Sequence, residues 1–230
     1  MKTQVLITAL LIPFILMSCK TATKTEDPIL ISTFAPIENL GKTSQLNPTA
    51  YLEQTLISDK CENPCWLGIE PGTASNLENI EEILIRFYGN ENVYRSPKAH
   101  QIVYWRIINS DFSQHGAVVL DEDNQITYIQ VFFNEGRITV DNLISVIGEP
   151  EYVLLVGDNR PHGFRCDGVW GMLYLQSGIE VLTESTPESI KQSQFIYYIG
   201  IEKPSTLTDK HYPDGYKAVQ WEGYRHYCEN

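Results

Sequence analysis

The chain has 230 residues, 43% hydrophobic and 11% aromatic, enough to bury a core in one domain or in two small, intimate ones. Its 29 acidic and 17 basic residues leave a formal net charge of −12. That balance argues against a nucleic-acid partner, which needs a basic face, and against electrostatic adhesion to an anionic membrane.

In chain order, Lys2 precedes an apolar run from Val5 to Met17. The run falls short of the roughly 20 apolar residues of a spanning helix and has the flanks of a secretory signal peptide. From the residues alone, an ordinary signal peptide with an incidental cysteine and an uncleaved anchor stay open. Leu16-Met17-Ser18-Cys19 resembles a bacterial lipobox. The resemblance implies a lipoprotein signal peptide over 1–18, cleavage before Cys19, and an extracytoplasmic domain held to a bacterial membrane through lipid on that cysteine. One acyl chain holds only reversibly, so firm anchoring takes several palmitate-type chains. Residues 19–47, rich in Thr, Lys, Pro and Asn, form a flexible tether of about 30 Å. Within it, Gly41-Lys42-Thr43 imitates the end of a phosphate-binding loop, but the required earlier glycine is Pro36.

Asn47 and Pro48 are an N-cap and a first-turn proline, opening a helix to about Ser58. Next comes CENPCWLGIEPGT, with Cys61 and Cys65 four positions apart. Setting Cys19 aside leaves Cys61, Cys65, Cys166 and Cys228, an even number that favours disulfides in an exported chain. The spacing is not that of a redox C-x-x-C pair, and zinc would want a second knuckle or nearby histidines. No metal or other cofactor is expected. Asn63-Pro64 favours a turn that lets Cys61 meet Cys65, so that Cys166 and Cys228 fasten the C-terminal tail. Trp66 is a candidate ligand platform or, in the plainer reading, a lid on this corner.

Ser75 and Glu78 form a capping box for a second helix carrying Leu77, Ile80, Ile83, Leu84 and Phe87 on one face, stopped by Gly89 in the left-handed conformation. Strands follow over 101–109, 115–120 and 125–133, with Val103, Trp105 and Ile107 on one face and Ile129, Val131 and Phe133 on another. Asp121-Glu122-Asp123-Asn124 is a hairpin turn, since a calcium loop would need glycine at Ile126 and glutamate at Phe132. Thr139 caps a third helix with Val140, Leu143, Ile144 and Ile147 in register, ended by Gly148 and Pro150. Short strands over 151–156, 169–175, 179–183 and 195–201 complete an α+β chain. Short helices pack on antiparallel sheet in two degenerate helix-plus-hairpin units, 48–137 and 138–230, the second carrying an aromatic tail.

The pattern T-x-x-x-L-x-x-x-x-G-x-P at Thr139–Pro150, followed by antiparallel strands, resembles the unit of small outer-membrane assembly lipoproteins of the BamE/SmpA type. Tandem copies resemble the β-lactamase inhibitor protein family. PCWLGIEPGT at Pro64–Thr73 is similar to a segment of uncharacterised bacterial lipoproteins. Both imply a domain that works by surface contact, with no catalytic residue to carry over.

No G-x-S-x-G, H-E-x-x-H or S-x-x-K appears. The densest polar stretch is a loop at 157–168, where Asp158, Arg160, His162, Arg165 and Asp167 concentrate charge. An acid–base pair of His162 with Asp158 or Asp167 is its catalytic reading; a polar hairpin pinned by Cys166 is the plain one. In the tail, Tyr216, Trp221 and Tyr224 are candidates to stack on sugar rings or fill a partner's pocket, against packing on the domain's own core. The expected function is a non-enzymatic, lipid-anchored module that binds an envelope protein or polymer; the alternative is a carbohydrate or small-ligand binder using the tail.

Overall fold

Asn47 and Pro48 open α1 (Pro48–Leu56) as the residue types require. The Asn47 side chain accepts from the backbone N–H of Thr49 (3.0 Å) and Ala50 (3.3 Å). The computed structural model describes residues 47–59, 61–96, 101–108, 113–133, 137–160, 163–186, 189–208, 210, 212 and 214–228. All lie in the unit that runs from Ala35 to Asn230; the expected signal peptide, tether and Cys19 lie outside them.

The second helix, α2 (Leu77–Tyr88), differs at its start from the expected Ser75 box. Ala74 bridges Gln125, and the Ser75 N–H donates to the Asn124 carbonyl at 2.9 Å. The chain is therefore held extended through Ser75, and Asn76 becomes the cap, accepting from the Asn79 N–H at 2.8 Å. Gly89 does end the helix, but at φ 90° and ψ 148°, outside the left-handed helical region. The third helix, α3 (Val140–Ile147), keeps its Thr139 cap, reciprocated by Asn142, whose side chain also donates to Thr49 on α1 at 3.3 Å.

Among the described residues, nine strands form one antiparallel sheet. They are β1 (Val93–Arg95), β2 (Ile102–Ile108), β3 (Ser113–Leu120), β4 (Ile126–Phe133), β5 (Tyr152–Arg160), β6 (Gly163–Tyr174), β7 (Ile179–Thr186), β8 (Ile196–Glu202) and β9 (Tyr216–Gln220). Their order is β1-β2-β3-β4-β8-β7-β6-β5-β9, so β4 and β8 meet in mid-sheet, with Ile129 opposite Ile201 and Val131 opposite Ile199. Helices α1, α2 and α3 cover one face, where Leu52, Leu84 and Leu143 join Trp105, Val131, Met172 and Val181 in a common core.

The stretch 157–168 is not a loop. Strand β5 continues to Arg160 and β6 begins at Gly163, with Asp158 opposite Arg165. Register shifts after Leu154 and Val156 break the two-residue alternation, which is why its sequence lacks a strand pattern. A Cβ at Gly157 would lie 1.9 Å from the Arg165 carbonyl oxygen, so the two backbones meet closely only because that residue is glycine.

The tail is also ordered into elements that its sequence does not announce. After β8 it forms α4 (Pro204–Thr208), and Leu207 is buried. Lys210 Nζ then donates to Glu180 of β7 (2.6 Å) and Glu202 of β8 (3.0 Å), both on the face opposite the helices. To reach β9, which pairs with β5, the chain crosses β6 and β5 over that outer face. Beyond β9 it turns back under the edge, where Trp221 and Tyr227 pack against the helix-side core. Cys228 is bonded to Cys166 of β6, with Cα atoms 5.2 Å apart, and Cys61 to Cys65, 6.4 Å apart. The tail is a strap around one edge of the sheet.

A substitution and a truncation test the strap. Burial opposes the Lys210 charge, but the hydrogen bonds and charges of Glu180 and Glu202 outweigh it, raising the lysine above its ordinary value. Its contribution to stability is present below the ordinary lysine range and lost only as pH rises through the raised value. Lys210→Met strands two buried carboxylates and should cost about 3 kcal/mol at neutral pH by urea unfolding. Deleting 203–230 in a Cys166→Ser background should lower Tm by at least about 10 °C by removing apolar cover from Leu154 and Leu173. An unchanged Tm would make the tail a detachable arm.

Candidate functional site

Trp66 is fully buried, so it is a core residue and not a platform for an external ligand. Its Nε1 donates to the Tyr88 hydroxyl at 2.9 Å, and its ring stacks on Trp105 with centroids 6.4 Å apart. Tyr88 stacks on the same Trp105 at 5.4 Å, and Tyr51 donates to Gln114 at 2.5 Å. Burial raises the hydroxyls of Tyr51 and Tyr88 well above the ordinary phenol value, so both stay protonated as donors.

In the ribbon of β5 and β6, Arg165 pairs with Asp167 at 3.6 Å, and both side chains are about half exposed. Such a pair contributes little in water. Asp158 is exposed. The Arg160 side chain and the whole of His162 lie outside the described residues, and with them the expected acid–base pair.

The tail aromatics do not form a coplanar exposed row. Trp221 is 8% exposed and meets Tyr224 edge-on at 82°. Tyr227 lies against Trp221 and is held by the Glu222 N–H and the Gly223 carbonyl. Tyr216 lies over Trp170 at 4.7 Å. Of the expected tail candidates, Tyr224 keeps a substantially exposed ring.

A different surface gathers aromatic side chains around an arginine. Because Val103, Trp105 and Ile107 point into the core, the residues between them point to the outer face. The register carries this across the sheet: Tyr104, Ala117, Gln130 and Gly200 share one row. Arg106, His115, Phe132 and Tyr198 share the next. Tyr94 stacks on Tyr104 (5.6 Å), His115 on Phe132 (4.8 Å), and Phe132 leans on Tyr198 (5.0 Å). Tyr94 is 49% exposed and Ile108 65%. Tyr198, at the strap's side of this field, is buried near Lys210, whereas Tyr104, His115 and Phe132 are partly exposed.

The electrostatics of this face are unlike the rest of the chain. None of the outward residues on β2, β3 or β4 is acidic. Burial, helped by the Arg106 charge, lowers the His115 pKa below the ordinary imidazole value, so the ring is neutral at pH 7. Arg106 is exposed and has no ion pair among the described residues. Aromatic rings around one open guanidinium are the composition of interface hot spots.

Among the described residues no three His, Cys, Asp or Glu side chains are grouped to hold a metal ion, and no helix is long and apolar enough to cross a membrane. No family model, curated protein or solved structure matches this chain.

The face assignment has a sharp consequence for alternating positions of β2. Trp105→Ala should cost about 3–5 kcal/mol, whereas Arg106→Ala and Ile108→Ser on the opposite face should stay within about 0.5 kcal/mol by chemical unfolding.

Proposed function

We propose that this protein is a lipid-anchored, extracytoplasmic, non-enzymatic module that grips a protein partner with the outer face of β2, β3 and β4. The observation that carries the reading is the acid-free aromatic field around Arg106 on a chain of net charge −12. Open aromatic patches of this kind mark protein contacts, and a charge-poor centre lowers the desolvation cost of burying them. The lipobox-like Leu16–Cys19 and the tether over 19–47 supply the anchor and its reach.

The same reading takes the chain as two degenerate units. In each, a capped helix precedes antiparallel strands: α2 with β1–β4, and α3 with β5–β8. The pairing of their final strands, β4 with β8, supports a head-on duplication. One unit keeps its outer face open, and the other lies beneath the strap.

A photo-crosslinker placed at Tyr104 or Phe132 in the bacterial envelope should trap a discrete protein adduct that Arg106→Glu reduces at least about tenfold. The same crosslinker at exposed Glu53 on α1 should not. Saccharide binding abolished at Tyr216 or Tyr224, with no adduct from the sheet, would favour the carbohydrate alternative. For the anchor, fatty-acid labelling should tag the wild type and not Cys19→Ala.

A further inference from the structure

The two disulfides sit in different surroundings. In the Cys61–Cys65 corner, Cys65 is fully buried. The adjoining turn is held by Glu70, whose carboxylate accepts from the backbone of Glu62 (3.3 Å) and Asn63 (3.0 Å). A thiolate attacking Cys65 finds its sulfur enclosed. One attacking half-buried Cys61 must expel the Cys65 thiolate into an apolar interior, where the charged form is disfavoured.

Cys166 and Cys228 are instead both half-buried, and both line an open depression of about 280 Å³ at the edge where the strap turns under the sheet. Lys217 and Arg225 line the same depression. Arg225 is ion-paired with Glu222, while Lys217 sits 5.8 Å from the centre of the Phe164 ring with no ion pair among the described residues. The depression thus keeps one uncompensated cation beside two accessible sulfurs. An anionic nucleophile is drawn in, and either sulfur can leave toward solvent.

We propose that Cys166–Cys228 is a thiol-exchange site that unlatches the strap, taking anionic thiols of the glutathione class or a dithiol of a protein reductant. A thiolate attacks one sulfur, and its new S–S bond forms as the Cys166–Cys228 bond breaks. The displaced cysteine departs with the electron pair as a thiolate and takes a proton from water. A second thiolate removes the attached thiol as a disulfide, so two reductant thiols are oxidised and two cysteine thiols are left. Freed at Cys228, the segment 221–228 is held by the packing of Trp221 and Tyr227 on the core, by the Trp221 N–H donating to the Glu151 carbonyl at 2.9 Å and by the bridge of His226 to Ser189. The strap over the outer face then depends on β9 and on Lys210.

The test uses the full chain purified with both disulfides intact, with glutathione as reductant and timed alkylation read by peptide mass spectrometry. Cys166 and Cys228 should become alkylated about tenfold faster than Cys61 and Cys65, the ratio that exposure and leaving-group solvation favour. Equal rates, or faster reduction of the Cys61–Cys65 pair, overturn the proposal. Lys217→Ser should slow glutathione several-fold while leaving cysteamine, whose ammonium cancels its thiolate charge, nearly unaffected; equal slowing of both overturns the electrostatic guidance. After selective reduction, hydrogen exchange should rise over 216–228 and stay unchanged over β2–β4. Unchanged exchange in the strap, or a rise throughout the sheet, shows that the bond is no latch.

Discussion

A nine-stranded sheet has two faces, and each must be covered or put to use; most of this structure follows from how that demand is met. The helices α1, α2 and α3 are short and suffice for one face, where their apolar stripes meet Trp105, Val131 and Met172. Among the described residues, no helix of similar length is left for the other face. The chain covers half of it with its own C-terminal segment, which lays Leu207 on β7 and tacks Lys210 between Glu180 and Glu202. The carboxylates are nearly buried, so this tack is a strong one only while all three charges are present. The uncovered half, on β2 to β4, is where aromatic rings remain in reach of another molecule.

The opening corner serves the covered face. Joining Cys61 to Cys65 closes the turn that delivers Trp66 inward, where it fills the space between Tyr51 and Trp105. Trp105 itself fits because β3 offers Gly116 opposite: a Cβ there would fall 2.2 Å from the indole ring. Hydroxyl and indole donors of this nest bond one another, which lets polar aromatics fill a core without stranding most of their donors. The staple, the missing side chain and the indole are one device. It anchors α1 and α2 on the very strands whose opposite side carries the aromatic field, so the proposed binding face is backed by a packed core.

Both disulfides cross-link the fold, yet their settings differ. Cys61–Cys65 spans a few residues beside a sealed core, whereas Cys166–Cys228 joins positions 62 apart and closes the strap on itself. Cross-links over longer loops remove more freedom from the unfolded chain, so the strap gains more from its bond than the corner does. The longer bond is also the more accessible one, and the same strap stands beside the open face.

Several features are legible without any structure because they are decided within a few residues. Asn47 and Thr139 act as caps through their own side chains, and Asp121–Asn124 turns because the Asp121 carboxylate accepts from the backbone of Asp123 and Gln125. Alternation placed Val103, Trp105 and Ile107 on one side of a strand, and the turn at Asn63-Pro64 favoured Cys61 with Cys65 among the three possible connectivities. The cap at Asn76 rather than Ser75 was hidden, because a bond from the distant Asn124 carbonyl decides it. So were the ribbon at 157–168, whose bulges erase alternation, and β9, whose partner lies some 60 positions earlier. The candidate site was half visible: Tyr104 and Arg106 had to point away from Trp105, but alternation says only that a strand has two sides. What lies over each side is settled by segments elsewhere in the chain, as Leu52 of α1 joins Trp105 in the core and Lys210 bonds Glu180 of β7, and packing of that kind leaves no local trace in sequence.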